Sequence, residues 1–349
     1  MQQASVLKPS RPRIHNPAHA EAPSVSPISA IPPIAAFAML SHCGRVRHTN
    51  EDACGARPDR GVFAVCDGMG GAAAGEIASH LALNTFLTAL DASSMATPSQ
   101  ARNGRIPPRA AHSSTDQLAQ NKIQNGSAEH PNHPHTRLEE AIHAANQAVI
   151  RHAQKSRALR GMGTTLVAVM LEKATHPANG ASAEAPANPI LWLAHVGDSR
   201  CYRLRAGSLQ QLTQDHSLVE EQIQAGLLSR VQAVSSPVRN IITRAIGSMP
   251  TVEPEIAAHP TQPGDLYLLA SDGLTRELDG AQIAAILART AASTTRAAAS
   301  RRSSESESES ANGESPRQTA LDLACHALID AANAKGGHDN ITVLLVSLP

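Results

Sequence analysis

Three short apolar runs in this chain end on an aspartate next to glycine, and a fourth aspartate stands just before another such run. They are "AVCDG" at Asp67, "HVGDS" at Asp198, "LLASDG" at Asp272 and "GGHDNITVLLV" at Asp339. A carboxylate at a strand end is placed by a rigid element yet left at the edge of a sheet. One Asp-Gly pair requires nothing more than a turn. Four of them, with Glu51 and Asp52 expected after a further strand, ask for a fold that gathers strand ends at one edge. Converging carboxylates repel one another unless a cation lies among them, and hard divalent ions take several oxygen ligands.

The stretch "AVCDGMGGAAAGE" also satisfies a GxGxxA turn between a strand and a helix, a pattern that can bind a dinucleotide pyrophosphate. Asp67 argues against that use, because its charge would face the phosphates. No second strand ends in an acid at the required distance, since Asp91 closes a helix instead. The glycines could also serve only to let strand and helix pack closely. The repeated strand-end acids favour a cation site.

Periodicity supplies the elements. Strands are expected at "AAFAMLSH", "GVFAVC", "TTLVAVML", "ILWLAHV", "DLYLLAS" and "ITVLLVSL", with a hairpin "CYRLRAGSLQQL" turning at Ala206-Gly207. Helical stripes run from Gly75 to Asp91 and over 137–157, from an N-cap at Asp279 through Ile283 and Leu287, and through Leu321, Ala324 and Leu328. A further helix ends near Gly226. Strands cluster with hairpins and helices come in blocks, which reads as α+β. Residues 1–36 form a Pro/Ser/Ala-rich tail, and 92–135, 174–189 and 291–317 read as disordered insertions. One domain over 37–349 remains.

Composition narrows the function. Thirty Lys and Arg balance thirty Asp and Glu, and the chain holds six aromatic residues, so no basic field or stacking surface for nucleic acid is expected. Five scattered cysteines form no CxxC pair, which suits reduced thiols in a cytoplasm. No apolar run approaches the ~20 residues needed to span a bilayer. The N-terminal positives are followed by prolines rather than by a signal-peptide core.

In order along the chain stand "RVRHTNED", "VCDGMGG", "GMGTT", "HVGDSRCY", "LTQDHSLV", "ITRAIG", "LLASDGLT" and "GGHDNIT". This series resembles the metal-dependent serine/threonine phosphatases of the PP2C (PPM) type, in their bacterial branch, over nearly all of 37–349 outside the insertions. The resemblance implies a β-sandwich flanked on both faces by helix pairs, with a two-metal centre at one edge. It implies hydrolysis of phosphoserine and phosphothreonine in proteins by water activated between two Mn²⁺ or Mg²⁺ ions. It further implies phosphorylated proteins and a eukaryotic-like Ser/Thr kinase as partners, and a monomer.

Carried over by motif, Asp67 is implied to bridge the two ions, and Asp272 and Asp339 to complete the ligands of one. The carbonyl of Gly68 and the carboxylate of Glu51 are implied to serve the other, with Asp52 holding a metal-bound water. Asp198 would help bind a third ion, and Arg47 matches the family's phosphate-binding arginine. For Arg47 the plain alternative is a surface salt bridge to Glu51 or Asp52. Met69 stands where eukaryotic relatives carry a histidine taken as general acid, and a thioether has no proton to donate. His42 and His48 are expected to be bystanders, and Thr164 and Thr165 structural. Residues 217–240 fall where the family has a mobile flap beside the site. Two other functions remain open: a catalytically silent PP2C-like binding module, and a phosphatase of small phosphoesters.

Overall fold

Side-chain alternation along the strands divides the molecule into layers. On β3 (Val62–Met69), Val62, Ala64 and Cys66 face one way while Phe63 and Val65 face the other. On β11 (Ile341–Ser347), Ile341, Val343 and Leu345 point away from Leu344 and Val346 in the same manner. A strand apolar on both faces must be covered on both. Phe63, Val65, Leu344 and Val346 therefore meet in a core between two sheets, with Val167, Leu193 and Tyr267. Each large side chain buried there contributes roughly 1.5–3 kcal/mol relative to exposure.

The computed structural model describes residues 34, 36–70, 74–93, 133–172, 188–234, 236–290 and 315–349. Most of the expected tail and the bulk of the three insertions lie outside these residues, although Ala36, the last residue of that tail, opens the strand Ala36–His42. Helix α1 (Ala74–Ser93) reaches into the first insertion from one side and α2 (Pro134–Ala153) from the other. One sheet orders β1 (Ala36–His42), β11, β10 (Leu266–Ala270), β7 (Arg200–Arg205) and β8 (Ser208–Gln211). The other orders β2 (Asp52–Arg57), β3, β5 (Leu166–Glu172), β6 (Ile190–Val196) and β9 (Glu255–Pro260), with the short β4 (Gly163–Thr164) on β3. All pairings within the two sheets are antiparallel.

Helices cover both outer faces. Phe86 and Leu90 of α1 and Leu138, Ile142 and Val149 of α2 pack on the second sheet. On the first sheet, Ile283 and Leu287 of α6 (residues 280–290) pack with Leu321 and Leu328 of α7 (Pro316–Ala334). The result is the expected sandwich between helix pairs. Asp279 caps α6 by accepting the Gln282 N–H at 2.9 Å, and the Gln282 side chain accepts the Asp279 N–H at 3.1 Å. The hairpin turns at Ala206 and Gly207, both with positive φ, as a two-residue connection requires. Among the described residues no helix is long and apolar enough to cross a membrane.

Two strands were not anticipated. Glu51 immediately precedes β2 and Asp52 opens it, rather than the pair following a strand end, and Glu255–Pro260 forms the edge strand β9. Neither "DACGAR" nor "EIAAHP" alternates apolar and polar residues, and both are extended because their neighbours β3 and β6 pair with them. "TTLVAVML" breaks at Thr165 into β4 and β5.

Candidate active site

Antiparallel pairing brings the acids together. Asp52 opens β2 opposite Asp67 on β3, Asp198 follows β6, Asp272 follows β10, and Asp339 precedes β11, the partner of β10. All of these positions fall at one end of the sandwich. Beneath them the two sheets are tied across by side chains. Asp52 Oδ2 on one sheet accepts the Ser271 hydroxyl at 2.8 Å and the Thr342 hydroxyl at 2.7 Å from the other. Its second oxygen, Oδ1, is buried without a hydrogen-bond partner among the described residues.

The loop from 43 to 51 is held against the approach to β11. Asn340 accepts the Glu51 N–H at 2.8 Å and donates its amide to the carbonyls of Cys43 and Thr49 at 3.1 and 2.8 Å. Gly44 has φ +78°, and a Cβ there would stand 2.2 Å from the Asp339 carbonyl oxygen. Glu51 is seated as tightly: a Cβ on Gly75, at the start of α1, would meet its Oε2 at 2.3 Å and the Gly68 carbonyl carbon at 3.0 Å. The Glu51 carboxylate and the Gly68 backbone therefore share one narrow space, which only glycine at 75 leaves open.

Asp67 is braced from β4 and β5. Thr165 Oγ1 accepts the Asp67 N–H at 3.0 Å, and the Thr164 hydroxyl donates to the Asp67 carbonyl at 2.8 Å. Thr165 also shares a hydrogen bond of 2.7 Å with the Ser199 hydroxyl beside Asp198. The two threonines are structural, and what they support is Asp67. Met69, the last residue of β3, pairs with Gly163.

The electrostatics are those of crowded acids. Burial pushes the Asp67 carboxyl well above its usual range, and the charges of Asp52, Asp272, Asp198 and Asp339 push it further. Burial and Asp198 raise Asp272 to about 8, although Arg276 opposes this. Asp52 is raised to about 6 by burial, against the two hydroxyls that it accepts. Burial also raises Glu51 and Asp198. Asp198 Oδ1, like Asp52 Oδ1, has no hydrogen-bond partner among the described residues. Hard oxygen donors, two of them without a hydrogen-bond partner among the described residues, suit Mg²⁺ or Mn²⁺.

Two guanidinium groups reach the acids. Arg47 Nη2 donates to Asp339 Oδ2 at 2.9 Å. Its partner is thus Asp339 rather than Glu51 or Asp52. Arg276 Nη2 pairs with Asp272 Oδ2, and the same guanidinium lies 3.6 Å from Asp339 Oδ2 and 4.0 Å from Asp198 Oδ2. Arg276 immediately follows "LLASDGLT" and was not anticipated. Only the turn of helix after Asp272, four residues apart, could have suggested it.

A cleft of about 770 Å³ opens over the acids, lined by Arg47, Asp198, Asp272, Arg276 and Asp339 on one side. On the other side stand Glu220, Ile223 and Arg239. The latter belong to a flap whose base is closed by Leu218 N–H donating to Ile241 O and Thr243 N–H donating to His216 O, each at 2.9 Å. The flap contains α3 (Leu218–Gln224) and α4 (Arg230–Val234), and it exposes Leu227 and Val231. Arg200 anchors the approach to it with a two-pronged grip on Asp215, 2.9 and 2.7 Å.

A second group of ligand-type atoms, from His195, His216 and Glu255, lies within 4.8 Å of one another. The two imidazoles stack at 4.6 Å with planes 19° apart. Ring lone pairs lie in the ring planes, so stacked rings send them side by side rather than to a common point. His216 Nδ1 accepts the Gly197 N–H at 3.2 Å, which leaves its Nε2 as the N–H facing Glu255. His195 Nε2 donates to the Gln214 carbonyl at 2.8 Å. The trio braces the turn before Asp198 against the base of the flap.

His42 serves its own loop, accepting the Gly44 N–H at 2.9 Å, and His48 is exposed.

Known proteins resemble this chain in sequence and in fold. The protein phosphatase 2C family model matches residues 41–307. The serine/threonine phosphatase stp of Listeria welshimeri is 32% identical over 306 residues, covering 87% of this chain and 92% of its own. The crystal structure of the serine/threonine phosphatase PstP/Ppp of Mycobacterium tuberculosis superposes with a TM-score of 0.59 at 29% identity, covering 89% of this chain and 97% of that one. A PstP catalytic domain in complex with two manganese ions gives a TM-score of 0.58 at 28% identity, covering 90% of this chain and 98% of the other. By fold, by motif order and by these likenesses, the chain belongs to the protein phosphatase 2C family of metal-dependent serine/threonine phosphatases.

Proposed function

We propose that the chain removes phosphate from phosphoserine and phosphothreonine in proteins at the cleft lined by Arg47, Asp198, Asp272 and Asp339. The observation that carries this reading is the gathering of six acids at one end of the sandwich, beneath a cleft that Arg47 lines. Asp67 would bridge two ions, Asp272 and Asp339 would complete the ligands of one, and Glu51 with the Gly68 carbonyl would serve the other. Asp198, with an unpartnered oxygen, suits a third. Bound there, Mn²⁺ or Mg²⁺ would supply charge neutralisation and acidify water for in-line displacement at phosphorus.

The chain's own groups do the rest. Arg47, at the mouth of the cleft, grips the phosphoryl oxygens through a planar fork that a point charge cannot copy. Asp52 Oδ1 is a buried acceptor without a partner among the described residues while Oδ2 is held by two hydroxyls, so it can orient and take up a proton at a fixed point. Met69 carries no proton, and the leaving oxygen must take one from water. The flap wall selects the peptide around the phosphorylated residue. A silent binding module is disfavoured because every acid that the family motifs require is present.

We also propose a cytoplasmic monomer that opposes a Ser/Thr kinase; the five free cysteines support the compartment, and the family relationship supports the role. The test is phosphate release from a phosphothreonine peptide with Mn²⁺, with Mg²⁺ and with excess EDTA. Turnover should require the ion, and undiminished turnover in EDTA would overturn the reading.

A further inference from the structure

Arg276 stands one turn after Asp272 and closes the single helical turn α5 (Asp272–Thr275), its N–H donating to the Asp272 carbonyl at 2.8 Å. Its guanidinium contacts three carboxylates that come from three separate stretches of chain. They are Asp272 after β10, Asp339 before β11 and Asp198 after β6. Arg47 touches only the second of these. The neighbouring polar groups are engaged elsewhere: Glu277 pairs with His338 at 2.7 Å, and the Thr275 hydroxyl donates to the Asp272 carbonyl.

A guanidinium is permanently charged and has five donors in a flat fork, so it can bridge acids that approach from different directions. Three carboxylates gathered around one guanidinium would repel one another without it. A divalent cation among these carboxylates would lie close to the guanidinium, and two cations so placed repel strongly. The Arg276 side chain is 34% exposed and lines the cleft, so its head has open space into which to move.

We propose that Arg276 is a tethered counter-cation of the acid cluster: it holds Asp198, Asp272 and Asp339 together and is exchanged for a divalent ion when the site fills. It is a positioning residue, and it sets the ion concentration at which the enzyme becomes competent. The inference rests on the metal reading of the same acids. It gives the ion-free protein a cohesion that a bare acid cluster lacks, at the expense of metal affinity.

The test compares the parent with Arg276→Gln and Arg276→Lys by Mn²⁺ titration calorimetry and by melting in EDTA and in saturating Mn²⁺. Loss of the charge should tighten Mn²⁺ binding at least about tenfold. It should also lower the melting temperature in EDTA by roughly 2–4 °C or more. In saturating Mn²⁺ the Gln variant should melt with the parent, and the Lys variant should stay near the parent throughout. A second readout uses the parent alone: Mg²⁺ should speed the exchange of the Arg276 Nε–H with water, followed by NMR and assigned by its loss in Arg276→Lys. This holds even if the Gln variant does not fold.

If the parent binds Mn²⁺ but Arg276→Gln binds it no tighter, the exchange is overturned. Equal destabilisation of the Gln variant in EDTA and in Mn²⁺ would overturn it too, since a purely structural arginine behaves so, as would an Nε–H signal indifferent to Mg²⁺. A parent that binds neither ion overturns the metal reading itself.

Discussion

Asp52 and Asp67 are direct partners across the β2–β3 ladder, two carboxylates on opposed residues at the end of one sheet. Like charges so placed destabilise a sheet. The hydroxyls of Ser271 and Thr342 compensate Asp52 at one oxygen only. Asp67→Asn should therefore stabilise the protein in chelator, by roughly 0.2–1 kcal/mol as expected for removing a like charge directly opposite another across a sheet. The same change should abolish Mn²⁺-dependent turnover. Thermal melts in EDTA beside a peptide assay check both halves, and a lower melting temperature would count against the repulsion.

Asp272→Asn and Asp339→Asn replace an anionic donor by a neutral amide of the same shape. Each should lower kcat by at least about a hundredfold at saturating Mn²⁺ while the folded content stays unchanged. Steady-state kinetics with circular dichroism decide, and near-parental rates in either variant would remove that residue from the ion-binding set.

Arg47→Lys retains the charge at the mouth of the cleft but loses the fork. A charge-assisted hydrogen bond is worth roughly 1.5–3 kcal/mol, so KM for phosphopeptide should rise about tenfold or more with kcat less affected. Unchanged constants would return Arg47 to a simple pair with Asp339.

Ion binding should release protons. Asp272 is raised to about 8 and Asp52 to about 6, so near neutrality the cluster still holds protons that an ion must displace. Mn²⁺ affinity should accordingly climb from pH 6 to pH 8. The ion-free protein should show the opposite trend: these carboxyls bind protons more tightly folded than unfolded, so their contribution is complete below about pH 4 and is lost as pH rises through 6 and 8. Calorimetry in buffers of different ionisation heat, with melts in EDTA across that range, measures both; affinity independent of pH would refute the proton exchange.

Thr165→Val removes the acceptor of the Asp67 N–H with little change of shape. An unsatisfied buried donor costs roughly 1–3 kcal/mol, so stability should fall by that amount. Mn²⁺ affinity should fall with it, because Asp67 loses its brace. Titration of the variant with Mn²⁺ is the check, and unaltered affinity would confine Thr165 to the core.

The local features were legible in the chain because they depend on near neighbours. Apolar runs mark β1, β3, β6, β10 and β11, the Ala206-Gly207 pair marks the hairpin, and Asp279 marks the start of α6. The acids at Asp67, Asp198, Asp272 and Asp339 could be counted as one set because each punctuates a strand and the motifs keep their order. What no local pattern carries is which side chains meet across the sheets. Strands β2 and β9 lack alternation and exist because β3 and β6 offer them edges. Asp52 reaches Ser271 and Thr342 across more than two hundred residues of chain, and Arg47 finds Asp339 rather than the acids beside it. Thr165 supports Asp67, Asn340 holds the Glu51 loop, and Arg276 stands among three carboxylates, all through contacts that only antiparallel pairing creates. Strand propensity and turn chemistry are short-range and can be read in order, whereas charge compensation depends on distance in space, which the packing of the two sheets decides.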